Sequence, residues 1–265
     1  MFGNVLIILL GAASLQVWAG FIRLWSKGQA VLQTAPRLPS PHLVLAWPAV
    51  AFYVTLLVVM QTQAALSQPD VTATITLRDV QAGCLDGAIV TMIALIFLSG
   101  MQRTPASEYG FDLAGLNRQL SEGTQAFLAS LGPVFLLLLA TSWLRTDENM
   151  HPFLKLLVDE PTPDTLGWIL LAAVILAPVK EELLFRVVLQ DGLARHIGAA
   201  PAISIVAVLF CAVHGFPDSL ALLPLAVILG YLYHKRQSAI SVITTHALFN
   251  LTNLALLLLD PQTND

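Results

Sequence analysis

Lys180, Glu181, Glu182 and Arg186 stand inside one apolar stretch running from about residue 165 to 192, and two later apolar stretches carry His214 and His246. One charge at mid-bilayer costs roughly 2.5–3.5 kcal/mol on lenient insertion scales, so four cost on the order of 10 kcal/mol unless partners offset them. A helix facing lipid would not keep them. Such residues belong on the inner side of a bundle, where neighbouring helices complete a polar site.

The composition supports a membrane setting. Of 265 residues, 56% are hydrophobic and only 11% charged, with mean hydropathy +0.75, against about a quarter charged in a soluble domain. The expected fold is an all-α polytopic bundle of about eight transmembrane helices, near 4–25, 42–63, 82–101, 124–144, 165–192, 200–215, 219–234 and 239–259. The sixth and seventh are short for full spans, since crossing takes about 20 apolar residues. In the first stretch Arg23 and Lys27 follow the apolar core, an order that suits a retained helix better than a cleaved signal peptide. The net charge of -4 and the lack of any Lys/Arg run exclude nucleic acid as an expected partner. Cys84 and Cys211 are too few for a disulfide framework and read as small buried hydrophobes.

Two connections exceed simple turns. Residues 64–81 are Thr-rich and partly alternating, consistent with a short extended piece, whereas 102–123 carry Phe111, Leu113, Leu116 and Leu120 at helical spacing beside Arg118 and Glu122, as an interfacial segment or solvated connector would. Eight Lys/Arg fall in the odd loops (Arg23, Lys27, Arg37, Arg103, Arg118, Arg195, Lys235, Arg236) and three in the even ones (Arg78, Arg145, Lys155). By the positive-inside rule both termini are expected on the non-cytoplasmic side.

The polar residues sort by spacing. Glu182 and Arg186 are four apart and share a helix face, while Glu181 points about 100° away toward another neighbour. One carboxylate is thus available to hold structure and one to do chemistry. His246 and Asn250 are likewise four apart and offer donors or a metal ligand from a single helix. Asp86 reads as an acid near a helix end reaching interfacial water, and His151, His196 and His234 as solvated residues at helix ends or loops. Asn250-Leu-Thr252 fits a glycosylation acceptor, but its place in an apolar run argues against modification. Neither a G-x-S-x-G elbow nor the H-E-x-x-H zinc motif is present.

Glu181-Glu182-x-x-x-Arg186, Phe210-x-x-x-His214 and His246-x-x-x-Asn250 resemble, in order, the three motifs of the CPBP intramembrane endopeptidases, which unite type II CAAX prenyl proteases with bacteriocin-processing and Abi-type proteins. The resemblance covers roughly residues 105–260, leaving 1–104 as membrane helices outside it. One departure is Val187, where bacterial members commonly carry Gly after the motif arginine. The resemblance implies endoproteolysis in a membrane-embedded cavity: Glu181 and His214 activate a water, His246 and Asn250 stabilise the oxyanion, and Glu182 and Arg186 order them. The implied partners are a peptide or membrane-protein substrate and the lipid bilayer. A divalent metal such as Zn²⁺ on Glu181, His214 and His246 stays open, because the same set can polarise water unaided. Two other functions fit the buried charges: a catalytically inactive scaffold that binds a membrane partner, and a small proton- or ion-coupled transporter.

Overall fold

A computed structural model describes residues 2–35, 75–100, 106–144 and 152–259. Among them every extended regular element is helical: α1 (Phe2–Ser26), α2 (Leu77–Gly100), α3 (Leu116–Ala140), α4 (Pro152–Asp159), α5 (Pro163–Leu170), α6 (Ala177–Glu182), α7 (Asp191–Ile197), α8 (Ala199–Ala212), α9 (Asp218–Arg236) and α10 (Ala239–Leu258). From α5 to α7 the chain is one continuous helix, in which two π-helical stretches, Leu171–Leu176 and Leu183–Gln190, flank α6. We call 163–197 the composite helix.

Among the described residues four helices are long and apolar enough to cross a membrane: Gly3–Ser26, Leu77–Ile96, Leu116–Ala140 and Ala239–Leu258. The protein is an integral membrane helical bundle. The expected span at 42–63 lies outside the described residues, as do His151 and most of the supposed extended piece at 64–81, whose last residues begin α2. Of the expected interfacial segment at 102–123, Ala106–Tyr109 form a short 3-10 helix of their own, and residues 102–105 lie outside the described residues. The segment's Leu116, Arg118, Leu120 and Glu122 open α3, eight residues earlier than expected, because Glu122 is neutralised by Arg236 at 2.7 Å and so is held at a helix-packing surface. The amphipathic α4, which buries Leu156 and Leu157, was not anticipated.

Two apolar cores surround the composite helix. Its first part packs into a cluster of Val80, Cys84, Leu156, Leu157, Ile169, Ala172 and Leu254. Its second part packs into a larger cluster that includes Phe127, Leu183, Phe185, Phe210, Leu225, Leu229 and Phe249. The short α6, with its charges, sits between the two. Both cysteines are free and buried, in line with their reading as small hydrophobes.

Helix junctions follow from individual residues. Pro133 in α3 has no N–H, which leaves the carbonyl four residues back, on Ala129, without its intrahelical donor. Trp18 of α1 supplies one through its indole N–H at 3.0 Å. One turn earlier along α1, the buried Ser14 hydroxyl accepts the Gly132 N–H at 3.2 Å. Gly123 permits a close approach of α3 to α10: a Cβ there would lie 2.6 Å from Ser241 O and 2.8 Å from Thr244 Cβ. Beside it Thr245 Oγ1 donates to Gly123 O at 2.9 Å, and the Ser238 hydroxyl that caps α10 bonds the Gln119 side chain of α3.

Candidate active site

Glu182 is fully buried and makes two ionic contacts in two directions. Its Oε1 accepts the Nδ1–H of His246 at 2.8 Å, and its Oε2 lies 3.3 Å from Arg186 Nε. Arg186 is also fully buried. Its guanidinium stacks over the Phe210 ring at 4.5 Å, and Nη2 reaches Ala226 O at 3.5 Å. Phe210 is the common wall: it meets His214 at 4.5 Å, Phe185 at 5.3 Å and His246 at 5.6 Å between ring centroids.

Glu181, about 100° around the helix from Glu182, turns to the partly open side. Its Oε2 stands 3.6 Å from His214 Nε2 and 3.9 Å from His246 Nε2. His214 follows the last turn of α8, and Gly215, at φ +74° in the left-handed region, turns the chain away just after it. This exit brings a histidine from the end of a short helix level with a carboxylate in the middle of a long one.

Hydrogen bonds orient both imidazoles. His214 Nδ1 bonds Phe210 O at 2.6 Å, and His246 Nδ1 bonds Glu182. A carbonyl and a carboxylate both accept, so each ring carries its proton on Nδ1 and presents the Nε2 lone pair to Glu181. Three lone-pair atoms then face one small space. That arrangement suits a molecule with protons to donate, such as water.

Most buried side-chain polar atoms left without a hydrogen bond among the described residues belong to this helix: Glu181 Oε2, Glu182 Oε2, Arg186 Nε and Nη1, and Gln190 Oε1. Glu182 and Arg186 meet as charges at a misaligned angle, and the Phe210 face gives the guanidinium a second electrostatic contact. Gln190, one turn beyond Arg186 and 2% exposed, extends the row by donating to Gly230 O at 2.8 Å. Sequence reasoning did not single out Gln190, although its spacing of four from Arg186 was visible.

The structure thus brings together Glu181, Glu182, Arg186, His214 and His246, contributed by the composite helix, the end of α8 and α10. Asn250 takes a different partner: its Nδ2 donates to Ala173 O at 2.7 Å, in the first π stretch. Lys180 is half-buried on the adjoining face. Among the described residues no group of three or more His, Cys, Asp or Glu side chains forms a set that could hold a metal ion. Asp86 lies exposed on α2, His196 is exposed at the end of α7, and His234 is half-buried in the last turn of α9.

Residues 163–252, about a third of the chain, match the family model described as "Rce1-like: Type II CAAX prenyl endopeptidase Rce1-like". The matched segment runs from the first residue of α5 into α10 and contains all six site candidates. No curated protein and no solved structure matches the chain.

Proposed function

We propose that this chain, which matches the Rce1-like type II CAAX prenyl endopeptidase family over residues 163–252, hydrolyses a peptide bond with a water activated by Glu181. The match over these residues supports a membrane protease. The finer reading, a glutamate-type mechanism, is carried by one observation: Glu181 Oε2 faces the Nε2 atoms of two oriented histidines at 3.6 and 3.9 Å.

In the proposed reaction a water in that space donates one hydrogen bond to Glu181 and one to His214 Nε2. As its oxygen attacks the scissile carbonyl, its proton passes to Glu181, which returns it to the departing amine. His246, held through Nδ1 by Glu182, binds a solvent proton on its Nε2 lone pair before the attack, donates it in a hydrogen bond to the developing oxyanion, and keeps it through the turnover. A donor fixed beforehand in a dry site contributes most where charge appears. The products are a carboxylic acid and an amine, and atoms balance with one water consumed. Arg186 pairs with Glu182 at 3.3 Å, and Glu182 keeps His246 in one tautomer and one orientation. The domain division follows the same lines: 105–260 form the protease core, and the helices before residue 105 support it from outside.

The proposed reaction uses protein groups and water alone. The family's name makes a prenylated C-terminal peptide the first substrate to try. The test uses the purified protein in nanodiscs with a fluorogenic farnesylated CAAX peptide and its unprenylated twin. Cleavage is expected for wild type, before and after exhaustive chelation, and loss of at least about 100-fold for Glu181→Gln, His214→Ala and His246→Ala. Peptide binding with no cleavage by wild type would replace the enzyme with a binding protein. Activity that returns only with added Zn²⁺ would replace the metal-free mechanism.

A further inference from the structure

Pro178 decides which backbone carbonyl the site helix leaves open. The stretch Leu171–Leu176 is bonded in π register, and the Ala177 N–H closes it on Ala172 O, five residues back. The next bond of that register would run from residue 178 to Ala173 O, but proline has no N–H to give. Ala173 O is therefore open to a donor from elsewhere. It receives Asn250 Nδ2 at 2.7 Å.

The two ends of this contact lie beside the chemistry. Asn250 is one turn beyond His246 on the same face of α10. Ala173 and Pro178 lead directly into the turn that carries Glu181. The contact therefore joins the helix bearing one imidazole to the helix bearing the carboxylate. An α-helical register over 171–176 would wind the chain more tightly and rotate the turn that follows, with Glu181 on it, relative to α10.

We propose that Pro178 and Asn250 form a latch that holds the composite helix in π register and thereby aims Glu181 at His246. Asn250 is then a positioning residue, acting through Ala173 O, and Pro178 is the residue that creates its acceptor. The catalytic consequence rests on the endopeptidase reading above; the latch does not.

A double-mutant cycle of Pro178→Ala, Asn250→Ala and the double variant tests this, read by thermal unfolding in detergent and by kcat and KM on the farnesylated peptide. In Asn250→Ala, Ala173 O loses its donor, and Pro178→Ala then provides one from the backbone of residue 178. Asn250→Ala is expected to lower Tm and to reduce kcat about 10- to 100-fold with little change in KM. Pro178→Ala is expected to raise Tm more in the Asn250→Ala background than in wild type, and to recover part of the lost kcat there. In wild type it should lower kcat, because its new N–H competes with Asn250. Equal Tm effects in both backgrounds would overturn the latch. Recovered stability without any recovery of kcat would overturn the positioning role and make Asn250 a group that touches the reacting atoms. Should Asn250→Ala fail to fold, accumulation of the double variant reports the same rescue. Because Tm is read without turnover, an inactive wild type would sink the endopeptidase reading and leave the latch to be judged on its own.

Discussion

At the scale of single residues, Glu182 ties structure to chemistry. It stands between a buried guanidinium at 3.3 Å and a histidine at 2.8 Å, so removing it strands one charge and frees one ring. Breaking a buried pair from one side costs about 3–5 kcal/mol, because the remaining ion has lost its partner. Glu182→Ala is expected to destabilise by that amount in thermal unfolding, whereas the double variant Glu182→Leu/Arg186→Met, which removes both charges, should unfold closer to wild type while remaining inactive. A double variant as unstable as Glu182→Ala would show that the pair contributes more than mutual neutralisation. The pairing of Glu182 with Arg186 was legible beforehand, because a spacing of four on one helix fixes a shared face. The partner of Asn250 was not. The family resemblance implied a donor aimed at the reaction, and only the proline-freed carbonyl at Ala173, three-dimensional information by nature, shows where its amide goes.

At the scale of elements, glycines set how closely helices approach. Gly123 lies where α3 crosses α10, and a methyl group there would intrude on Ser241 O at 2.6 Å and Thr244 Cβ at 2.8 Å. Neither is the free end of a flexible side chain, so the helices must separate. Gly123→Ala is expected to destabilise by about 1–3 kcal/mol and to lower activity, because Thr244 and Thr245 immediately precede His246. Gly167 in α5 meets open space, and Gly167→Ala should be neutral or stabilising by up to about 1 kcal/mol. Thermal melts of the two variants side by side check both; equal losses would mean that helix propensity, and not the close crossing, governs Gly123. Helical class and the position of most apolar helices were readable from hydropathy. The opening of α3 was not, since its first two turns are polar and owe their order to Arg236, 114 residues away along the chain. The π stretches were equally hidden: Pro178 marks an irregularity in sequence, but the register on either side of it is settled by packing.

At the scale of the whole molecule, the site is assembled from the later half of the chain and braced by the earlier half. The segment matching the endopeptidase family begins at Pro163, yet α10 of that segment packs along α3, and α3 in turn packs against α1. The α1 contact includes a bond made available by Pro133, which leaves Ala129 O without an intrahelical donor. Trp18→Phe keeps most of the buried ring and removes the N–H, so it isolates that bond. The expected loss is about 1 kcal/mol, the net value of one such hydrogen bond, with more if the carbonyl stays cut off from water. Because the Trp18 bond is made to α3, which carries none of the site residues, kcat and KM measured well below the melting temperature should match wild type while Tm falls. A fall in kcat at unchanged Tm would instead mean that α1 acts on the site through α3 and α10, and that the brace also sets the distance between His246 and Glu181.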